Sequence, residues 1–71
     1  MSKGNQLRAQ RKRRQLTQVQ LSELSGVQQP EISRLELGRR DPTARMVNAL
    51  ADALGLRPST VFKWFFDHDI G

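Results

Sequence analysis

This sequence predicts an all-α fold of five short helices, on three observations. Apolar residues recur at three- and four-residue spacing rather than in alternation: Leu21 and Leu24, then Ile32 and Leu35, then Met46, Val47, Leu50, Ala51 and Leu54. Gly26, Gly38 and Gly55 each follow one of these runs, where a residue of left-handed conformation closes a helix. Pro30, Pro42 and Pro58 stand near the helix starts, where a ring without an N–H is tolerated. A chain of 71 residues allows one domain with a single small core, and 37% hydrophobic against 27% charged residues is not the balance of a disordered chain.

The elements follow in order. Residues 1–5 read as a flexible basic N-terminus, and residues 6–67 as the folded domain. The first helix covers 6–14, with Leu7 as its only large apolar residue. The second covers 18–25: Thr17 is its N-cap and Gln20, three residues on, completes a capping box that satisfies two orphan backbone donors. The third covers 29–37, with Pro30 in its first turn, and the fourth 44–54. A fifth helix over 58–67 precedes a tail at 68–71. Leu21, Leu24, Ile32 and Leu35 are expected to share the seam between the second and third helices. Val61, Phe62 and Phe65 are expected to close the core beneath the first and fourth.

Composition excludes several classes of function. The chain has no cysteine, so it holds no disulfide, thiolate metal site or cysteine nucleophile, and its one histidine, His68, reads as part of a solvated tail. The seven carboxylates are scattered without a paired acid and base or a phosphate loop, so neither an enzyme nor a cofactor or metal is expected. No apolar stretch approaches the ~20 residues of a membrane span, and the basic N-terminus lacks the apolar segment of a signal peptide. A cytoplasmic protein is the expectation, with no membrane partner and no separate sensor domain. The net charge of +5 is concentrated: Lys3, Arg8, Arg11, Lys12, Arg13 and Arg14 precede the first acidic residue, Glu23. That asymmetry points to a polyanion.

The stretch from Leu16 to Pro42 carries the functional signal. The second helix, a short connection through Gly26 and Val27, and the third helix form a helix-turn-helix. In such a motif the first helix crosses the DNA backbone and the second lies in the major groove. Gly26 lets the chain reverse at positive φ, Val27 fills the corner, and the small Ser22 lets the two helices approach. The outward face of the third helix then carries Gln28, Gln29, Glu31 and Arg34, with Ser33 at its border. Gln suits bidentate pairing with adenine and Arg with guanine, each worth about 1–3 kcal/mol of discrimination.

With these residues in place, the chain resembles the Cro and phage-repressor type of helix-turn-helix domain, the XRE family, over about Leu7 to Phe62. The resemblance rests on Leu16-Thr17-Gln18, on Leu21 and Leu24, and on Gly26-Val27. It continues through Ile32-Ser33-Arg34-Leu35-Glu36, Gly38-Arg39-Arg40 with Pro42, and Leu50-Ala51 with Leu54-Gly55-Leu56. It implies a compact lambda-repressor-like fold and binding of double-stranded DNA, so a DNA-bound chain would sit on the nucleoid. By resemblance Arg11 and Glu36 form an ion pair tying the first helix to the third. Gln29, Pro30 and Arg34 fall on base-reading positions, with Gln28 and Ser33 beside them. Pro30 offers only apolar contact there, such as to a thymine methyl. Gln18 resembles the residue that clamps a phosphate, and Arg39, Arg40, Arg45, Arg13 and Arg14 complete the expected phosphate-binding set.

All four aromatic residues, Phe62, Trp64, Phe65 and Phe66, fall within five positions of the fifth helix. Beyond core closure, Trp64, Phe65 and Phe66 are expected at an interface, because aromatic side chains are enriched where a partner excludes water. The resemblance implies a homodimer through this end on a palindromic operator. The leading expectation is a sequence-specific transcription regulator that represses by occlusion. The rival is an antitoxin-like or adaptor module that holds a protein partner with the aromatic helix. RNA binding is disfavoured, since no aromatic lies among the basic residues to stack on bases.

Overall fold

A computed structural model describes residues 4–66. Within them the helices are α1 (Asn5–Arg13), α2 (Gln18–Ser25), α3 (Gln29–Glu36), α4 (Ala44–Leu54) and α5 (Pro58–Phe66), with no strand among the described residues. The all-α, five-helix fold follows. Lys3, the tail at 68–71 and the last residue assigned to the fifth helix, Asp67, lie outside the described residues.

Local chemistry starts and stops the helices. The Thr17 hydroxyl accepts from the Gln20 N–H at 3.0 Å, and Gln20 Oε1 accepts from the Thr17 N–H at 2.8 Å, so α2 begins on a complete capping box. It ends at Gly26, whose φ of 78° turns the chain toward α3 without a Cβ penalty. Pro30 sits in the first turn of α3, where its missing N–H had no partner to lose. Thr43 caps α4, its hydroxyl accepting from the Met46 N–H at 3.1 Å.

The core lies where all five helices converge. Leu7, Leu21, Ile32, Leu35, Leu50, Val61 and Phe65 are its largest fully buried members, joined by Val27, Val47, Ala51 and Leu54. The motif α2–α3 therefore rests on a platform built from α1, α4 and α5, which fixes how α3 is presented.

Three expectations are corrected. Leu24 does not join the seam; it is 61% exposed. The inward stripe of α2 is Gln18, Leu21, Ser22 and Ser25, spaced as one helix face, and Leu24 lies one position off it. Phe62 and Phe65 also divide differently. Val61 and Phe65, one turn apart, face the core, so Phe65 is 2% exposed and buried within the single chain rather than on its surface. Phe62 is 51% exposed instead, stacked on Phe66 with ring centroids 4.6 Å apart. Trp64 and Phe66 are partly buried against the core.

The third correction concerns the N-terminus. Gly4 and Asn5, expected in a flexible segment, are folded: Asn5 begins α1 and Gly4 is buried as its N-cap. A Cβ at position 4 would stand 1.9 Å from the Leu35 carbonyl oxygen and 2.4 Å from the Glu36 Cα. Absence of a side chain is what allows α1 to start against the last turn of α3. Gly4→Ala must push that turn outward, and a loss of about 1–3 kcal/mol is expected, as for other overpacked sites. A thermal melt checks this, and an unchanged midpoint would contradict it.

Candidate functional site

The distinctive interior feature is a chain of polar side chains. Arg11, buried on α1, donates from Nε to Glu36 Oε2 at 2.7 Å and from Nη2 to Glu36 Oε1 at 3.0 Å. Its Nη1 donates to the Leu16 carbonyl at 2.8 Å, holding the turn that leads into α2. Gln18 Nε2 donates to Glu36 Oε1 at 3.1 Å, and Gln18 Oε1 accepts from Gln29 Nε2 at 2.7 Å. One network thus runs from α1 through the end of α3 and the start of α2 to the first turn of α3. No buried side-chain polar atom is left without a partner among the described residues.

The fork geometry accounts for the choice of residues. A guanidinium meets a carboxylate through two parallel N–H bonds, and its third edge remains for a carbonyl. The hydrogen bond to Glu36 raises Arg11 above the ordinary guanidinium range; burial opposes this and the carboxylate's charge adds to it. A cation whose folded-state value is raised contributes its stability at every pH below the ordinary value and loses it only as pH climbs through the raised one. Arg11 therefore makes its full contribution across the working range of a protein.

The ends of this network decide what α3 can present. Gln29 spends one Nε2 N–H on Gln18, leaving one N–H donor and the Oε1 acceptor. Gln18 likewise retains one N–H. Gln28 and Pro30 are exposed beside them, and Ser33 is half-buried. Arg34 is exposed but engaged, its Nη1 donating to Glu31 Oε1 at 2.5 Å.

Two clefts flank α3. One, about 430 Å³, is bordered by Asn5, Arg8, Arg11, Gln18, Ser33, Glu36 and Leu37. On the other side, a cleft of about 380 Å³ is bordered by the α2–α3 turn together with Glu31, Thr43, Arg45 and the start of α4. Each cleft has arginine at its edge. Arg39 and Arg45 are exposed, while Arg40 pairs with Glu31. Arg13 is exposed, but Arg14 folds back, with Nη1 donating to the Gln10 carbonyl at 3.1 Å and to its Oε1 at 2.7 Å. Arg14 is thus engaged with its own helix end.

Sequence reasoning missed the pairing role of Glu31 and did not set Asn5 and Arg8 beside α3. The signal for Glu31 was its i, i+3 spacing to Arg34. For Arg8 the signal was its position one turn before Arg11 and Lys12, within the basic run. Among the described residues no three His, Cys, Asp or Glu side chains gather where a metal could sit, and no helix is long and apolar enough to cross a membrane.

Over residues 7–68 the chain matches a family model described as helix-turn-helix. It is also similar to the immunity repressor protein of Bacillus phage phi105, with 36% identity over 61 residues. The aligned region is 86% of this chain but 42% of that relative, so the chain spans less than half of the relative's length.

Proposed function

This chain belongs to the Cro and repressor type of helix-turn-helix family, and from that premise we propose that it is a sequence-specific double-stranded DNA-binding transcription regulator, acting as a repressor with α3 in the major groove. The observation that carries the reading is the orientation of Gln29. Its amide is held from behind by Gln18, so the remaining N–H and Oε1 match N7 and the N6 amino group of adenine. Gln28, Pro30, Ser33 and Arg34 complete the reading surface. The free N–H of Gln18 on one side, and Arg39, Arg40 and Arg45 on the other, take phosphates, with Arg13 farther along the backbone. The similarity to an immunity repressor supports the repressor assignment.

One short helix reads few base pairs, so two copies on a palindrome complete the function, their recognition helices about 34 Å apart. The exposed Phe62 ring, in contact with the partly buried Phe66, supports a homodimer through α5. Beside Phe62 lies a groove of about 320 Å³, bordered by Ala44, Val47, Asn48, Pro58 and Ser59. The same surface would serve the alternative, an adaptor that holds another protein.

Selection from a random duplex pool tests the reading. A palindrome with adenine in each half-site is expected at ~150 mM salt, with log K falling against log salt at a slope of about −4 per subunit. No enrichment, or a slope near zero, would overturn it. Phe62→Ala is expected to shift the sedimenting species toward monomer while leaving the melting temperature of the dilute, monomeric chain nearly unchanged, because the ring is exposed in the single chain.

A further inference from the structure

Glu31 is the one acidic side chain in the first turn of α3, on a face otherwise neutral or basic. Its two oxygens hold two arginines from different segments. Oε1 takes Arg34 Nη1 at 2.5 Å, three residues along the same helix, and Oε2 takes Nη1 of Arg40 from the loop that follows. The Glu31 and Arg40 side chains are 19% and 31% exposed, against 59% for Arg34. Arg40 Nε also donates to the Asp41 carbonyl at 3.2 Å, and the next residue, Pro42, is buried. The clamp therefore joins the reading helix to a loop that is itself fixed in the fold.

A carboxylate here works against general attraction to DNA, because it neutralises one of two cations that would otherwise meet phosphate. Such a repulsive element weakens binding to every duplex and is offset only where a specific contact replaces it. The geometry supplies that contact. With Nη1 spent on Glu31, Arg34 keeps its Nε–Nη2 edge, two parallel N–H groups that match O6 and N7 of guanine.

We propose that Glu31 is a specificity-determining positioning residue: it aims the free edge of Arg34 at a guanine and restrains Arg34 and Arg40 from phosphate on duplexes that lack the site. This rests on the DNA-reading function above and assigns a role to a residue which that function does not otherwise need.

The test compares the wild-type chain with Glu31→Gln, which keeps shape and helix propensity but removes the charge. Binding is measured by fluorescence anisotropy on the duplex selected by the wild type and on a scrambled duplex, across a salt series. Glu31→Gln is expected to bind the scrambled duplex about fivefold tighter at 150 mM salt, with a slope steeper by about 1, the effect of one added phosphate contact. Affinity for the selected duplex changes less, so the ratio between the two falls. Repeating the selection with the variant is expected to relax the guanine. Glu31→Asp keeps the charge but is one methylene shorter. It is expected to retain the wild-type slope on scrambled DNA while losing the guanine preference. A Glu31→Gln protein with the wild-type slope, ratio and guanine preference would overturn the role of Glu31 alone. A wild-type chain that selects no duplex would overturn the DNA-reading function and this role with it.

Discussion

Replacing Arg11 with leucine is expected to cost the domain about 3–5 kcal/mol, the penalty for stranding one member of a buried ion pair. Glu36 would lose both of its bonds from Arg11, and the Leu16 carbonyl would lose the donor from Nη1. Glu36→Leu should cost a similar amount, since it leaves a buried guanidinium with the Leu16 carbonyl alone. A small domain has roughly 0.05–0.15 kcal/mol of stability per residue, so either change removes a large share of what is available. At about 4–8 °C per kcal/mol, the melting midpoint falls by at least ~12 °C, if a transition survives. The double variant Arg11→Met with Glu36→Leu is expected to lose less than either single change, because no charge is left buried. Circular dichroism melts of the four proteins decide it. If neither single variant melts lower than wild type, the pair carries no stability.

Phe65→Ala is expected to have a comparable effect for a different reason. Phe65 is among the largest fully buried side chains, and its truncation leaves a cavity that neighbours on helical backbones cannot collapse to fill. The expected loss is about 3–5 kcal/mol. Phe62→Ala, three residues away on the exposed face, should change stability by less than ~0.5 kcal/mol. Urea titration of the two variants separates core from surface: a Phe65→Ala midpoint equal to wild type, with altered sedimentation, would mean that the ring serves an interface after all.

These two residues also mark how far the sequence is legible. The five helices are readable because their signals are local: the capping box at Thr17 and Gln20, the left-handed turn at Gly26, and apolar spacing within each run. Packing is less readable, because helical periodicity ranks faces only by hydrophobicity. On α2 the inward stripe is mostly small or polar, so Leu24 looked more buried than Ser22 or Ser25. On α5 three phenylalanines and a tryptophan crowd five positions, and the choice of the Val61–Phe65 face depends on where α1 and α4 lie. Gly4 was unreadable for a similar reason. Its φ of −82° is ordinary, so the position demands glycine only because the α3 backbone passes beside it, a long-range fact.

The candidate site divides in the same way. The exposed positions at the start of α3 follow from helix geometry once the motif is recognised. The connection between them does not: nothing in the spacing of Gln18, Gln29 and Glu36 announces that their side chains meet end to end. Glu31 was legible as a surface charge but not as the shared partner of Arg34 and Arg40, because the path of the α3–α4 loop brings Arg40 to it.

The polar network from Leu16 to Gln29 has a consequence for how such a domain can change over generations. Its members are unequally replaceable. Glu36 is buried and accepts from both Arg11 and Gln18, so substitution there endangers the whole fold. Gln29 stands at the network's outer end, where its one internal partner, Gln18, is near water and can be satisfied by solvent. Mutation at Gln29, and at its neighbours Gln28 and Pro30, is therefore cheap in folding terms while it alters the surface offered to a base pair. Drift in target preference can proceed at one end of the network while the other end keeps the protein folded.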